Sequence, residues 1–204
     1  SAVYFNRDYE PYAKSRNELV TNYLADHQIP VKTFRDQVIF EPWDIMKDDG
    51  TPYTVYTPYR KKWRKKLEEH VLGAHDIWNL PASFYRTAPF DMPSLASMNF
   101  RTSSLPVPPA VIDEEVIRHY HENRDYPGVN GTSRLGVHLR FGTISIRHLV
   151  AKALELNETF LGELIWREFF TMILWHFPRV VDQAFKTRYD HIDWRNDEEE
   201  FEAW

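Results

Sequence analysis

Cysteine is absent from this 204-residue chain, which excludes a disulfide framework and a thiolate metal site. Apolar runs long enough to span a bilayer are also absent, and no signal-peptide pattern opens the chain, so we expect a soluble, cytoplasmic protein with no membrane partner. Excess positive charge is lacking as well, because the net charge is −5. Any DNA binding would therefore have to use a local basic patch.

Aromatic side chains, in contrast, are plentiful. The chain has seven tryptophans, eleven tyrosines and thirteen phenylalanines, and 43% of its residues are hydrophobic. That composition is enough to bury a sizeable core in one large or two smaller domains. Aromatic residues mostly serve such a core, and less often form a ring-stacking site.

The first part of the chain alternates short apolar runs with helical periodicity. Residues 3–5, 31–34 and 37–40 are predicted strands, and residues 11–27 and 59–70 are predicted helices. Such alternation is typical of an α/β domain, but one helical crossover is too little to build a stable sheet. We therefore expect the chain to begin within a domain.

A proline-rich stretch separates this part from a helical one. The sequence predicts an α/β domain over 1–92, an extended linker over 93–110 and an all-α domain over 111–204. Within the last, helical periodicity covers residues 114–122, 145–156 and 159–177.

Residues 131–136, Gly-Thr-Ser-Arg-Leu-Gly, are the first candidate site. Two hydroxyls, an arginine and flanking glycines before a helix are suited to bind a phosphate through side chains and backbone N–H groups. The alternative is an ordinary helix start, with Thr132 or Ser133 as the N-cap residue, which is the commoner use of such a loop.

A second candidate lies on the last predicted helix. Glu163, Trp166, Arg167 and Phe170 are spaced at i, i+3, i+4 and i+7, so they share one face of a helix that is otherwise apolar almost all round. One interpretation is a Glu163–Arg167 ion pair beneath a core aromatic residue. The other is a pocket wall that stacks a flat ring and hydrogen-bonds its polar edge.

The order of these motifs resembles the photolyase and cryptochrome family. The similar segments are 4–12, 49–63, 132–136, 139–147, 163–170, 189–194 and 201–204, which together reach across nearly the whole chain. The resemblance implies a truncated Rossmann-like α/β domain followed by the first part of the FAD-binding helical domain. It also implies that the family's first strands and the remainder of its flavin domain lie outside this chain.

The resemblance carries the family's cofactor contacts onto individual positions. The residues that would contact FAD are Tyr120, Thr132, Ser133, Arg134, Leu135, Gly136, Phe160 and Arg167. Two of these depart from the family pattern: Gly136 stands where many members have serine, and Phe160 stands where some have a flavin-contacting tryptophan.

The same resemblance implies a role for three further residues. Glu163 and Trp166 would meet a flipped-out thymine dimer, and Arg124 would lie near the DNA backbone. The expected function of the parent protein is light-driven repair of cyclobutane pyrimidine dimers in DNA, by a monomer. The alternatives are a cryptochrome-type blue-light receptor without repair activity and a helical interaction module that has lost flavin.

The remaining sequence features assign few functional roles. Tyr12 and Ala13 replace the Asn-Glu pair of folate-binding members, which argues against a folate antenna and leaves the antenna chromophore unknown. His119 and His121 lack the further ligands of a zinc site, so no metal is expected. The basic run 60–66 could indicate nucleic-acid binding or import signalling, but it is interpreted as a solvated helix face pointing away from the lesion. No catalytic residue is assigned within the chain.

Overall fold

The computed structural model describes residues 2–70, 72–73 and 86–204. The chain forms two compact units: Ser1–His70 with Leu161–Trp204, and Val71–Phe160. The domain limits expected from the sequence stay a prediction. No helix among the described residues is both long and apolar enough to cross a membrane.

Eight α-helices occur in the described part of the chain. They are α1 (Pro11–Asp26), α2 (Tyr56–Glu68), α3 (Glu114–Arg118), α4 (Tyr120–Asn123), α5 (Gly136–Phe141), α6 (Ile146–Leu156), α7 (Glu158–His176) and α8 (Glu198–Ala203). Short 3-10 turns cover Ala96–Met98, Pro178–Val181 and Thr187–His191.

Two strands pair in parallel within the described residues of the first unit. They are β1 (Val3–Asn6) and β2 (Val31–Phe34), with Val3 opposite Val31. Parallel neighbours need a crossover connection, which α1 supplies. This helix begins with Pro11, whose restricted φ suits the first helical position.

The predicted third strand at 37–40 is wrong. Val38, Ile39 and Phe40 are almost fully buried, but their backbone is irregular. The Ile39 and Phe40 N–H groups donate to the two carboxylate oxygens of Glu168, at 2.7 and 3.0 Å. A side chain thus supplies the acceptors that a neighbouring strand would otherwise provide. An apolar run of this length indicates burial, and burial alone does not select a strand.

The predicted helices are confirmed with shifted ends. The helix predicted at 59–70 begins three residues earlier, at Tyr56. The one predicted at 114–122 is divided at His119 into α3 and α4. The bounds of α6 and α7 agree with the prediction to within a residue.

Helices α2 and α7 form the aromatic core of the first unit. The buried face of α2 contains Tyr59 and Trp63. The Tyr59 ring meets Phe169 of α7 edge to face at 5.1 Å, and the Trp63 indole N–H donates to Glu168 at 2.6 Å. These contacts fix the rotation of each helix about its own axis, and therefore which side chains face outward.

Candidate functional site

Asn157 starts the helix that carries most of the candidate residues. Its side-chain oxygen accepts from the Phe160 N–H at 3.0 Å, as an N-cap residue does. Its amide N–H₂ donates to the Arg118 carbonyl at 2.9 Å. The buried Asn157 therefore ties the start of α7 to the end of α3. Sequence reasoning missed this residue, although an Asn-Glu pair before an apolar run is a helix-start pattern.

Three predicted site residues come together beside this cap. The ring of Tyr120 packs edge to face against Phe160, with centroids 5.1 Å apart and planes at 79°. The Arg124 guanidinium lies 5.6 Å from the centre of the Tyr120 ring, within cation–π range. One aromatic cluster in the second unit thus joins two expected cofactor contacts and one expected DNA contact.

The loop after α4 follows a path that depends on glycine. A Cβ on Gly131 would lie 2.6 Å from the Asn123 carbonyl oxygen, so the backbone can approach α4 this closely only without a side chain. Arg134 has φ of 52°, in the left-handed region that non-glycine residues seldom adopt. The loop is therefore held in one turn against the end of α4.

This loop forms one side of a cleft of about 530 Å³ in the second unit. Thr132, Ser133 and Arg134 line it, and the proline-rich segment 106–109 lines it too. Leu135, in contrast, is buried at 2% exposure and anchors the loop.

The structure tests the capping interpretation of this loop. Helix α5 begins at Gly136, its N-cap residue is Leu135, and no side chain caps it. The capping interpretation of Thr132 and Ser133 is therefore wrong for this helix. Two hydroxyls and a guanidinium on one cleft are donors suited to a phosphate, and the cleft volume lies within the usual range for ligand pockets. The residues present fit the phosphate part of a flavin dinucleotide.

The predicted stripe on α7 belongs to an aromatic group. The Trp166 indole stacks on Tyr56, with ring centroids 3.5 Å apart and planes at 9°. Phe170 stacks on Trp166 at 5.4 Å, and Phe169 meets Trp166 edge on at 5.5 Å. The Tyr56 hydroxyl donates to the Gly162 carbonyl at 2.8 Å. Sequence reasoning missed Tyr56, because it lies more than a hundred residues from its partner.

The two charged residues of the stripe occupy different surroundings. Arg167 is half-buried and donates to the Gln37 carbonyl at 2.6 Å, which ties α7 to the irregular segment after β2. Glu163 is half-buried and lies about one turn before both Trp166 and Arg167. Contact of Arg167 with a flavin, and of Glu163 with a lesion, stay predictions.

Glu168 was not singled out by sequence reasoning, although its carboxylate is central to the first unit. It is buried at 3% exposure and accepts from Ile39, Phe40 and Trp63. Burial raises the pKa of Glu168 to about 7, although these hydrogen bonds and the charge of Arg167 act in the opposite direction. A charged residue among the apolar residues of a predicted helix is the sequence feature that could have indicated this role.

Family models match both ends of the chain. Residues 1–77 match the model of DNA photolyase, and residues 160–204 match the model of the FAD binding domain of DNA photolyase. Together the two matches take in more than half of the chain. The chain belongs to the photolyase and cryptochrome family. The second match also confirms FAD as the cofactor of the domain to which these residues belong, while the antenna chromophore stays unassigned.

Curated relatives agree with this assignment. The deoxyribodipyrimidine photo-lyase of Alkalihalophilus pseudofirmus is 30% identical, over all of this chain and 46% of its own length. That of Halobacterium salinarum is 31% identical, over 99% of this chain and 47% of its own length. An uncharacterized 31.6 kDa Synechococcus protein is 32% identical, over 83% of this chain and 67% of its own length. The chain spans about half the length of these photo-lyases.

Solved photolyase structures confirm the predicted fold class, an α/β part followed by a helical part. A bacterial class III photolyase from Agrobacterium tumefaciens superimposes with a TM-score of 0.70 at 24% identity, over the whole of this chain and 46% of its own. An archaeal photolyase from Sulfolobus tokodaii with two FAD molecules gives 0.62 at 26% identity, over 98% of this chain and 44% of its own.

Proposed function

We propose that the protein containing this chain is a deoxyribodipyrimidine photo-lyase, which repairs cyclobutane pyrimidine dimers in DNA with light. The observation that carries the proposal is the pairing of an indole, Trp166, with a carboxylate, Glu163, about one turn apart on helix α7. The names of the curated relatives support the same activity.

The phosphate part of FAD is proposed to bind at the cleft loop. The hydroxyls of Thr132 and Ser133, the Arg134 guanidinium and the Gly136 N–H would hold the phosphates, while buried Leu135 keeps the loop in place. When bound, FAD would supply absorption of blue light and electron transfer.

The flat ring system needs further contacts from the chain. Phe160 is proposed to offer an apolar contact and Arg167 to lie beside the ring, whereas Tyr120 is proposed to lie near the phosphates. These assignments rest on the family resemblance.

Lesion recognition is assigned to ring stacking and a charged hydrogen bond. A dimer inside a duplex is out of reach, so it has to be flipped out, and the unstacked bases then need a new ring to cover them. Trp166 supplies the ring, Glu163 accepts a hydrogen bond from the base edge, and Arg124 contacts the DNA backbone. Glu163 and Trp166 are both partly exposed.

Removing the indole tests the proposal. Base–aromatic stacking is worth about 1–3 kcal/mol per base, so Trp166→Ala should weaken binding to dimer-containing DNA by roughly one to two decades. Binding to undamaged duplex should scarcely change, because phosphate contacts carry it. The measurement is a titration of both DNAs at fixed salt with the full-length, flavin-loaded protein.

Trp43→Ala is the matched control. It removes an indole that contacts Trp175 and lies outside the stripe, so it should leave the ratio of the two affinities unchanged. If the wild-type protein shows no preference for damaged DNA, or if Trp166→Ala weakens both DNAs equally, the repair function fails. A cryptochrome-type photoreceptor would then take its place.

A further inference from the structure

Helix α2 carries its six basic residues on two flanks with different surroundings. On one flank, Lys62 pairs with Asp48 at 2.8 Å and Lys66 with Asp44 at 3.3 Å. On the other flank lie Arg60, Lys61, Arg64 and Lys65, at i, i+1, i+4 and i+5, which we call the basic strip.

The basic strip lines a shallow surface depression of about 580 Å³. Thr57 and Glu68 complete the lining, so four cations face one carboxylate. Lys61 and Lys65 are exposed, and Arg60 and Arg64 are half-exposed. An open, cation-rich surface of this kind suits an extended polyanion better than a single small anion, because its charges are spread along a line.

The strip starts beside the proposed lesion contact. Helix α2 begins at Tyr56, whose ring stacks on Trp166 at 3.5 Å. With a rise of about 1.5 Å per residue, Arg60 lies about 6 Å and Lys65 about 13 Å further along the helix axis. The helix is fixed in this position by buried Trp63, which donates to Glu168 of α7. The distance between the strip and Trp166 is therefore set by packed elements of one unit.

We propose that the basic strip binds the phosphates of a DNA strand next to the base that Trp166 stacks on. This inference rests on the proposed repair function and adds a surface to it. One strand of duplex DNA presents a phosphate about every 3.4 Å along the axis, so the roughly 7 Å from Arg60 to Lys65 matches about two phosphates. The Thr57 hydroxyl provides a further donor of the kind found at DNA backbones.

The proposal differs from what the sequence suggested for the same run. From sequence alone, residues 60–66 were expected to point away from the lesion as a solvated face. Because the first residue of α2 stacks directly on Trp166, the helix begins at the proposed lesion site. Phosphate contacts carry no sequence information, so the strip should strengthen binding to damaged and undamaged DNA alike.

The test is the salt dependence of DNA binding by the double variant Lys61→Gln/Lys65→Gln. The full-length, flavin-loaded protein is titrated with undamaged and dimer-containing duplex at several salt concentrations. Each phosphate contact contributes about −0.9 to the slope of log K against log salt. Loss of two contacts in the double variant should therefore make this slope less negative by about 2. At 0.1 M salt, affinity for both DNAs should fall by roughly tenfold or more.

Lys62→Gln, on the other flank of the same helix, is the control and should leave the slope unchanged. An unchanged slope in the double variant, with flavin absorbance retained, would overturn the proposal, as would an equal change in the control. The wild-type protein could show no preference for dimers while the double variant still has a less negative salt slope. In that case the repair function fails. The strip then remains a DNA-binding surface.

Discussion

Glu168 illustrates how one side chain can replace a regular structural element. Its carboxylate accepts from two backbone N–H groups, of Ile39 and Phe40, and from the indole of Trp63. Within the described part of the chain, the buried apolar segment around Ile39 is thereby held by a side chain and not by a neighbouring strand. Burial affects the pKa of this carboxyl more than the hydrogen bonds do, and it raises the pKa from an ordinary value of 4.5 to about 7.

This shift predicts a stability that falls as pH rises. Between about pH 4.5 and 7 the folded protein keeps a proton on Glu168 that the unfolded chain has released, so raising the pH favours unfolding. The difference in unfolding free energy across this range should be roughly 3 kcal/mol from this group. Urea unfolding of wild type and Glu168→Gln at pH 5 and pH 7.5 measures it.

The variant provides the comparison that isolates Glu168. All other titratable groups are common to both proteins, so the difference between the two pH dependences belongs to the carboxyl. Equal dependence in wild type and Glu168→Gln would show that Glu168 is ionised throughout.

Among the elements, helices were more predictable than the connections between them. Helix α7 follows from a long apolar segment that ends before Pro178, and its bounds were predicted to within a residue. The run at 37–40 has the same apolar character as a strand, yet its hydrogen-bond partner is a side chain nearly 130 residues away. Such a distant partner cannot be predicted from the local sequence, and neither can the stacking of Tyr56 on Trp166.

The loop at 131–136 was recognisable from its residue types, and its structure suggests a test of the cofactor cradle. Gly131→Ala places a methyl group against the Asn123 backbone, so the loop must shift, at a cost of about 1–3 kcal/mol. We expect lower thermal stability and reduced FAD retention in the full-length protein, read from flavin absorbance after gel filtration.

Gly128→Ala is the matched control for this loop. A Cβ at Gly128 meets open space, and the residue precedes the same loop by only a few positions. The control should retain FAD as the wild type does. Full retention in Gly131→Ala would mean that the path of the loop does not matter for the cofactor.

At the scale of the whole molecule, charge is distributed unevenly. The net charge of −5 led to the expectation that DNA binding would need a local patch. The basic strip of α2 is such a patch, with its first residue one turn from Tyr56. Composition could predict that a patch was required. Its position beside Trp166 could not be predicted, because that depends on packing between α2 and α7.

Helix α7 also links the two sets of candidate residues along the chain. Phe160 belongs to the second unit with Tyr120, and Glu163 and Trp166 belong to the first. The family order of motifs predicted both sets, and the structure adds their immediate partners, Asn157 and Tyr56. The proposed repair activity requires both sets of residues.

The most direct test of that activity is repair itself. The full-length protein, loaded with reduced FAD, is incubated with duplex DNA containing one cyclobutane pyrimidine dimer, in the dark and under blue light, and intact dimer is counted with time. We expect loss of the dimer in the light alone, with Glu163→Ala slower than wild type at equal flavin content. A flavin-loaded wild type that leaves the dimer unchanged under light would contradict the account.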